Sequence, residues 1–311
     1  MANTYAKVSG TFEEIDNAYG KVSGTWQEAD EIYGKVSGVW KLVFAAFQAT
    51  SIQTLSSGSG TFAVPEGANA IHIQAAVGGG GGAAGGVSYD KAGGESSGAG
   101  GGSGAYVSDK VFTVTEGETL SYSIGSGGSP GNQTANFGQP KTGSAGTNTT
   151  LSGSSTGAIF TLGAGGGASG TGGGVQGPLR TNTAGTAGSA TINASAVTSG
   201  NFRDSDGSTK AVTTLTSGPV GTFNQSGNGA AGDNNGNCGG DNCQIAGSDG
   251  ADSYAGNISG GNGCGIGGPA ATAGTRGSGG GGGGAQNIGS TGETAFAGGN
   301  GEVRYRFLRV N

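Results

Sequence analysis

From Gly60 onward, short runs of alternating hydrophobic and polar residues separate tracts of glycine. The closing run shows the pattern most clearly, because Val303, Tyr305 and Phe307 alternate with charged residues, as in a half-buried strand. Compact turn signals at 65–67 and 116–118 each separate two such runs, and we expect the two turn-linked pairs and the closing strand to form one small sheet. The predicted strands are Thr61–Val64, Ala70–Val77, Val107–Val114, Leu120–Ile124, Ala158–Leu162, Ala211–Leu215 and Glu302–Val310.

The first 44 residues contain three copies of a 14-residue repeat, which begin at Tyr5, Tyr19 and Tyr33. Each copy has a Lys-Val-Ser-Gly core followed by an aromatic residue, and the glycine suits the positive φ of a tight turn, so each copy predicts a β-hairpin. A unit this short cannot bury its own aromatic face. Two interpretations stay open, hairpins that stack on one another and a module whose aromatic rows sit on another protein. The aromatic residues concerned are Tyr5, Phe12, Tyr19, Trp26, Tyr33 and Trp40.

These patterns divide the chain into three parts. Residues 1–44 hold the repeats, residues 45–57 are mostly small and polar and are expected to form a linker, and residues 58–311 form a glycine-rich β domain.

Composition changes what kind of β domain to expect, because 75 of the 311 residues are glycine, against a usual share of about 7%. Leu, Ile, Val and Phe together number 48, under the roughly 20% of residues below which disorder is the default expectation. The formal net charge is only −6, which argues against disorder. The glycines keep no sustained three-residue period, which argues against collagen. We therefore expect main-chain hydrogen bonds to order most residues. The predicted fold class is all-β, with N-terminal hairpin repeats followed by a small β-sheet domain carrying extended, polyglycine-II-like loops.

Charge and hydropathy exclude several classes of function. The acidic balance provides no basic stripe for phosphates, so no nucleic-acid partner is expected. No apolar run approaches the roughly 20 residues of a membrane-spanning helix. The first ten residues lack the basic and apolar regions of a signal peptide, so export by that route is not expected.

The candidate catalytic groups do not converge in the sequence. The single histidine, His72, lies in a predicted strand and is interpreted as a polar residue on a sheet face. The carboxylates of Glu116 and Glu118, like those of Glu13-Glu14, are interpreted as solvated charges and not as a glycosidase pair. No phosphate-binding loop motif occurs. We expect no enzymatic activity, no cofactor and no bound metal.

Two further groups of residues leave alternatives open. Cys238 and Cys243 could close a small disulfide loop that leaves Cys264 unpaired, while free thiols and a three-thiolate zinc site are the alternatives. The acidic sequences at 204–207 and 249–252 resemble fragments of calcium loops but never reach the distal glutamate of an EF-hand, which favours polar turns.

A series of ordered landmarks runs through residues 58–311. It opens with Gly60-Thr61-Phe62-Ala63-Val64-Pro65-Glu66-Gly67, then Ile71-His72-Ile73 and a polyglycine stretch. It continues with Tyr106-Val107, with Val114-Thr115-Glu116-Gly117-Glu118-Thr119-Leu120 and with Ile124-Gly125-Ser126-Gly127-Gly128, and it ends with a glycine run before Glu302-Val303-Arg304-Tyr305. This order resembles the glycine-rich domains of phage tail-fibre proteins, and the N-terminal repeats are similar to repeats in phage structural proteins.

The resemblance implies a virion component, a tail fibre or baseplate-associated fibre that is often an adhesin and a homotrimer, with polyglycine-II packing in some members. It implies that the N-terminal aromatics dock the chain onto other tail or baseplate proteins, after synthesis in the host cytoplasm. A host-surface glycan or an outer-membrane protein would then be the further partner. The alternative is a glycine-rich structural, surface-coat or ice-binding-type protein with no viral role.

The asparagine-rich segment from Gly221 to Gly268 supplies candidate receptor-facing residues. Amide-rich loops with isolated aromatics suit recognition of sugars or proteins through hydrogen bonds and stacking, although asparagine also simply tolerates left-handed turns. The candidates are Phe223, Asn234, Asn235, Asn237, Asp241, Asn242 and Tyr254.

Overall fold

The computed structural model describes residues 5–8, 11–14, 19–28, 31–36, 38–45, 47–83, 99–131, 142–168, 183–216, 277 and 295–311. Their regular secondary structure is β-strand apart from one 3-10 turn, Val212–Thr214, which confirms the all-β class. The strands are β1 Tyr5–Val8, β2 Thr11–Glu14, β3 Tyr19–Val22, β4 Thr25–Glu28, β5 Glu31–Val36, β6 Val39–Ala45, β7 Gln53–Leu55, β8 Ser59–Ala63, β9 Ala70–Val77, β10 Tyr106–Thr113, β11 Thr119–Ser123, β12 Thr149–Gly153, β13 Gly157–Leu162, β14 Ala190–Ile192, β15 Asn201–Arg203, β16 Thr209–Ala211 and β17 Glu302–Leu308.

The six N-terminal strands pair in sequence order as three separate two-stranded antiparallel sheets. In the second pair, Ser23 and Gly24 both have positive φ, 50° and 84°, as a type I′ turn requires. Gly38 takes the equivalent conformation in the third pair, with φ of 83°.

The remaining strands build two larger antiparallel sheets and a small hairpin. One sheet has four strands in the order β10-β9-β17-β7, and the other has five in the order β14-β13-β12-β11-β8. The closing strand β17 lies inside the four-stranded sheet, between β9 and β7, so the last residues of the chain complete its centre.

The two turn signals join different sheets, and the prediction of one small sheet is therefore wrong. The turn at 65–67 leads from β8 in the five-stranded sheet to β9 in the four-stranded sheet, and the turn at 116–118 leads back from β10 to β11. The two turns bond to each other, because the Val64 amide donates to the Glu118 carbonyl and the Gly117 amide donates to the Val64 carbonyl. Both crossings lie side by side at one end of a two-sheet sandwich.

One hydrophobic core lies between the sheets. Alternate residues of β17, namely Val303, Tyr305 and Phe307, point into it as predicted. They meet Leu151 and Phe160 of the facing sheet and neighbouring buried side chains. The ring of Phe62 stacks on that of Tyr305 with centroids 4.6 Å apart, so an aromatic contact ties the edge strand β8 to the centre of the opposite sheet.

A second, smaller core covers the outer face of the four-stranded sheet. The β15–β16 hairpin and the 3-10 turn lay Phe202 and Val212 against Ala70, Val111 and Leu308. Residues 211–215, predicted as a strand, instead hold the end of β16 and this 3-10 turn, because the chain must bend there to bury Val212.

The strand boundaries follow the alternation wherever hydrophobic side chains set it. β9 has the predicted bounds, and the other confirmed strands differ by one or two residues. β7 lies within the stretch expected to be a linker and pairs with β17, Leu55 opposite Val303. Short polar strands such as β12 and β14–β16 were not predicted, because few large hydrophobic residues mark them.

Candidate functional site

Seven glycine-rich segments continue the strands beyond the sandwich and pack side by side. They bond to one another and do not extend as separate loops. The segments are 78–83, 99–105, 125–131, 142–148, 163–168, 183–189 and 295–301, and we call them together the glycine-helix bundle.

The hydrogen bonds of segment 78–83 repeat every three residues, which is the period of a polyproline-II helix. Its six amides donate in turn to segments 99–105, 142–148 and 295–301 and then to the same three again, over 2.7–3.1 Å. Its carbonyls accept from segments 163–168 and 125–131. Five neighbours therefore surround this segment, and main-chain bonds between helices replace the side-chain core that the composition could not supply.

Close packing of backbones explains why glycine fills the centre of the bundle. All residues of segments 78–83 and 99–105 are buried. A Cβ atom built on Gly81 or Gly82 would lie inside 3.0 Å of a backbone oxygen, that of Gly166 or Ser129 respectively. Real Cβ atoms essentially never approach that closely, so these positions exclude any side chain.

Polar side chains satisfy amides at the edge of the bundle. In segment 125–131, the Ser126 amide donates to the Thr147 hydroxyl over 2.7 Å, and the Ser129 amide donates to the Ser144 hydroxyl over 2.7 Å. The Gly127 amide donates to the Asn300 side chain over 3.0 Å. The frequent Ser, Thr and Asn residues thus supply acceptors where no further glycine segment does.

The glycine segments end together at the end of the bundle away from the sandwich. Gly131 donates to the carbonyl of Ala83, and Gly143 donates to that of Ala168, so the outer ends of several segments lie together. The described residues that border three gaps in the described ranges all lie at this end, namely Ala83 and Ala99, Gly131 and Thr142, and Ala168 and Thr183. We call this the outer end of the bundle.

The chain enters the sandwich at the opposite end. Phe47, the first described residue after β6, lies against Gly67, at the turn that precedes β9. β9 then runs for eight residues, about 25 Å, before the bundle begins at Gly78. The chain therefore enters from the repeats at one end of the sandwich, and the bundle extends from the other end.

A cluster of charged residues lies between the four-stranded sheet and the β15–β16 hairpin. His72 is 3% exposed, with Nε2 at 3.5 Å from Asp109 Oδ1, and its Nδ1 accepts from Arg306 Nε over 3.4 Å. Arg306 also donates from Nη1 to Asp204 Oδ1 over 2.7 Å, and Lys210 pairs with the same carboxylate. Burial and the neighbouring Arg306 lower the pKa of His72 to about 4. His72 is thus a buried member of a network and not merely a polar residue on a sheet face.

The same cluster accounts for Asp204 in the acidic sequence at 204–207, and the arginines near the end of the chain each have a partner. Asp204 is neutralised by two protein cations, which together with hydrogen bonds lower its pKa to about 2 despite burial. Arg304 pairs with Glu302 over 2.6 Å, and Arg309 donates to the Gly67 carbonyl over 3.3 Å. Among the described residues no group of three His, Cys, Asp or Glu side chains could hold a metal ion.

Glu118 is a structural carboxylate that the sequence interpretation placed in solvent. It is 5% exposed, and it accepts hydrogen bonds from the amides of Thr115, Ser155 and Thr156 and from the Thr156 hydroxyl. These bonds lower its pKa against the opposing effect of burial. Glu118 thus joins the turn after β10 to the turn between β12 and β13. The Glu-Gly-Glu turn is the one sequence signal that could have indicated this role.

The sequence-predicted site residues fall into two groups. All six aromatics of the repeats lie in strands β1–β6, and the registers place Phe12, Trp26 and Trp40 opposite Lys7, Lys21 and Lys35. The candidate receptor-facing residues and the three cysteines lie outside the described residues, as does the acidic sequence at 249–252.

Trp40 is the repeat aromatic whose surroundings the structure describes. It is 67% exposed, and the preceding Val39 is 60% exposed. Val39, Trp40 and Ile52 are the exposed large hydrophobic residues of the described part of the chain. Within that same part, no helix has the length and apolar character needed to cross a membrane.

Comparison with known proteins gives one match. The model of a family of glycine-rich domains matches residues 54–308, which include both sheets and the glycine-helix bundle. No curated protein matches the chain. The match covers well over half of the sequence, and the chain belongs to this glycine-rich domain family.

Proposed function

We propose that this protein is a structural component of a phage tail, a tail fibre or baseplate-associated fibre protein that takes part in attachment to the host surface. One observation carries the proposal: the described segments that border residues 84–98, 132–141 and 169–182 end together at the outer end of the glycine-helix bundle, while the chain enters the sandwich from the repeats at the opposite end. An attachment protein needs these two separate ends, one for the particle and one for the host.

The bundle is a suitable support for a binding surface. Each of its segments is bonded to neighbours along its length, so the outer ends of the segments are fixed relative to one another. A fixed base lowers the ordering cost of binding by the stretches it carries. We assign contact with a glycan or an outer-membrane protein to stretches 84–98, 132–141 and 169–182, and to the asparagine-rich candidates within 217–276.

The repeats are suitable for docking onto another tail protein. Isolated two-stranded hairpins are marginally stable in water, so each gains from packing against a partner. Exposed Trp40 and Val39 supply apolar surface for such a contact, and exposed Lys35 stands opposite Trp40 in the pairing. Assembly of three copies into a homotrimer belongs to the same proposal.

Binding to host cells tests the attachment role. The purified full chain should bind cells of the strain on which the phage grows and should slow adsorption of that phage. Replacing residues 132–141 with a Gly-Ser sequence of equal length should weaken this binding without changing the melting temperature. Ile52→Ser, an exposed change near the opposite end of the sandwich, is the matched control and should bind normally. Equal binding by all three proteins would refute the assignment to the outer end.

Incorporation into particles tests the docking role. Trp40→Ser should reduce the amount of the chain found in purified particles, because truncating an exposed aromatic anchor removes interface energy on the order of 2 kcal/mol. Ile52→Ser again serves as the control. Trp26→Ser is tested as a second variant. Normal incorporation of both variants would contradict a docking role for the repeat aromatics.

A second candidate function rests on a row of exposed hydroxyl residues. Thr183, Thr186 and Ser189 are exposed at three-residue spacing along one edge of the bundle, about 9 Å apart. A regular hydroxyl row suits a repeating surface such as ice, which is the non-viral alternative. Thermal hysteresis in solutions of the purified chain, abolished by Thr186→Val, would favour this second function.

A further inference from the structure

A chain of three side chains links the β15–β16 hairpin to the four-stranded sheet. His72 of β9 accepts from Arg306 of β17, and Arg306 donates to Asp204, which follows β15 in the hairpin. The guanidinium carbon of Arg306 also lies 5.5 Å from the centroid of the Phe202 ring in β15. Arg306 is thus the element through which the sheet holds the polar side of the hairpin. We call His72, Arg306 and Asp204 the latch.

The geometry fixes which protonation state of His72 allows the latch to close. Arginine only donates, so Nδ1 of His72 must be unprotonated to accept from Arg306, and the ring proton must sit on Nε2. A second proton can then bind only at Nδ1. It would convert the acceptor to a donor and set two cations about 3.4 Å apart at a side chain that is 3% exposed.

The other charged groups near His72 face different atoms of the network. Asp109 of β10 faces Nε2 at 3.5 Å and not Nδ1, and burial raises the pKa of its carboxyl against the lowering effect of its hydrogen bond from Ser108. On the hairpin, Asp204 keeps its charge but is shared between Arg306 and Lys210, and Asp206 lies 3.7 Å from Lys210. On β17, Arg304 is paired with Glu302.

We propose that the latch is released by acid, so that protonation of His72 makes opening of the β15–β16 hairpin more frequent. The hairpin runs through the 3-10 turn to residue 216, directly before the stretch that carries the candidate receptor-facing residues. Release would therefore loosen the anchor of that stretch. This consequence for attachment rests on the proposed function, whereas the latch itself does not.

The size of the effect follows from how strongly the closed latch disfavours the proton. The pKa of His72 is about 4 when the latch is closed and 6.5, the ordinary value, when it is open. Lowering the pH from neutral to 4 therefore raises the equilibrium constant for opening on the order of 100-fold. Asp204, with a pKa of about 2, stays ionised over this range, so its own titration cannot account for the release.

Two measurements on the full chain test the latch without any variant. Because the chain has a single histidine, the carbon-13 signal of labelled histidine reports the titration of His72 alone. Hydrogen exchange, corrected for the intrinsic effect of pH, reports opening of residues 201–216. Exchange of the hairpin should rise on the order of 100-fold between pH 7.5 and 4, beginning as pH falls below 6.5, the ordinary pKa of histidine, while β9 stays protected. A hairpin that stays closed while His72 protonates would overturn the proposal.

A variant pair separates the latch from other acid effects. His72→Asn places an amide oxygen near the position of Nδ1 and cannot be protonated, so its hairpin should exchange at the same corrected rate at pH 7.5 and pH 4. Asp206→Asn is the control and should keep the full acid response. An equal acid response in wild type and His72→Asn would refute the latch. Cell binding by the same proteins speaks only to the proposed function, so the two proposals can fail separately.

Discussion

Substitution of Gly82 by alanine is the sharpest test of the glycine-helix bundle. The new Cβ would lie inside 3.0 Å of the Ser129 carbonyl oxygen, whereas ordinary contacts begin at 3.4 Å. Segments 78–83 and 125–131 would have to separate by about 1 Å to relieve the overlap, since neither contact is a flexible side chain. That shift would break the bonds from Gly128 to Gly80 and from Gly131 to Ala83, now 2.8 and 2.9 Å long.

The expected loss is large for one methyl group. Two backbone hydrogen bonds contribute about 1 kcal/mol each, and overpacking costs a further 1–3 kcal/mol, so we expect about 3–5 kcal/mol. For a chain of this size that corresponds to a fall in melting temperature of roughly 10 °C. Differential scanning calorimetry of wild type, Gly82→Ala and Ser129→Ala measures it. Ser129 is an exposed residue of the same bundle, and its substitution should shift the melting temperature by less than about 2 °C. Equal melting temperatures for both variants would refute close backbone packing at Gly82.

Three further predictions concern single side chains. Glu118→Gln should lower the free energy of unfolding by about 2–3 kcal/mol at pH 7, because hydrogen bonds to a charged acceptor are lost. The pKa of Glu118 is lowered in the folded state, so its contribution to stability is present above the usual value of 4.5 and is lost as pH falls. In urea unfolding, the free energies of unfolding of wild type and Glu118→Gln should therefore converge below that pH. Gly117→Ala has open space around its Cβ but a φ of +72°, so it should cost only about 1 kcal/mol, well below Gly82→Ala in the same calorimetric scan. Phe202→Ala should expose the hairpin to hydrogen exchange while leaving β12 protected, because Phe202 is fully buried in the smaller core; uniform loss of protection would contradict a separate hairpin core.

The elements that the sequence predicted well are those whose side chains alternate between core and surface. β9 and β17 carry Ile71, Ile73, Tyr305 and Phe307 at every second position, and both strands lie where the pattern indicates. The low content of large hydrophobic residues likewise pointed to main-chain hydrogen bonds and polyglycine-II-like packing. Features that follow from composition or from period-two alternation could therefore be predicted from the sequence.

The arrangement of these elements could not be predicted from the sequence, for identifiable physical reasons. A Pro-Glu-Gly turn has the same local sequence whether it closes a hairpin or passes between sheets, and here the bonds between Val64, Gly117 and Glu118 decide the outcome. The glycine tracts carry no side chains that could specify which tracts become neighbours. The latch joins residues 72, 204 and 306, which are far apart in sequence, so only the folded chain brings His72 to Arg306.

We propose that this glycine-rich chain is a tail component with one end on the particle and the other toward the host. Antibodies raised against the purified chain and labelled with gold can locate it in electron micrographs of phage particles and of uninfected cells. We expect label on tail fibres or baseplates and none on uninfected cells. Label on the surface of uninfected cells, with bare tails, would contradict it.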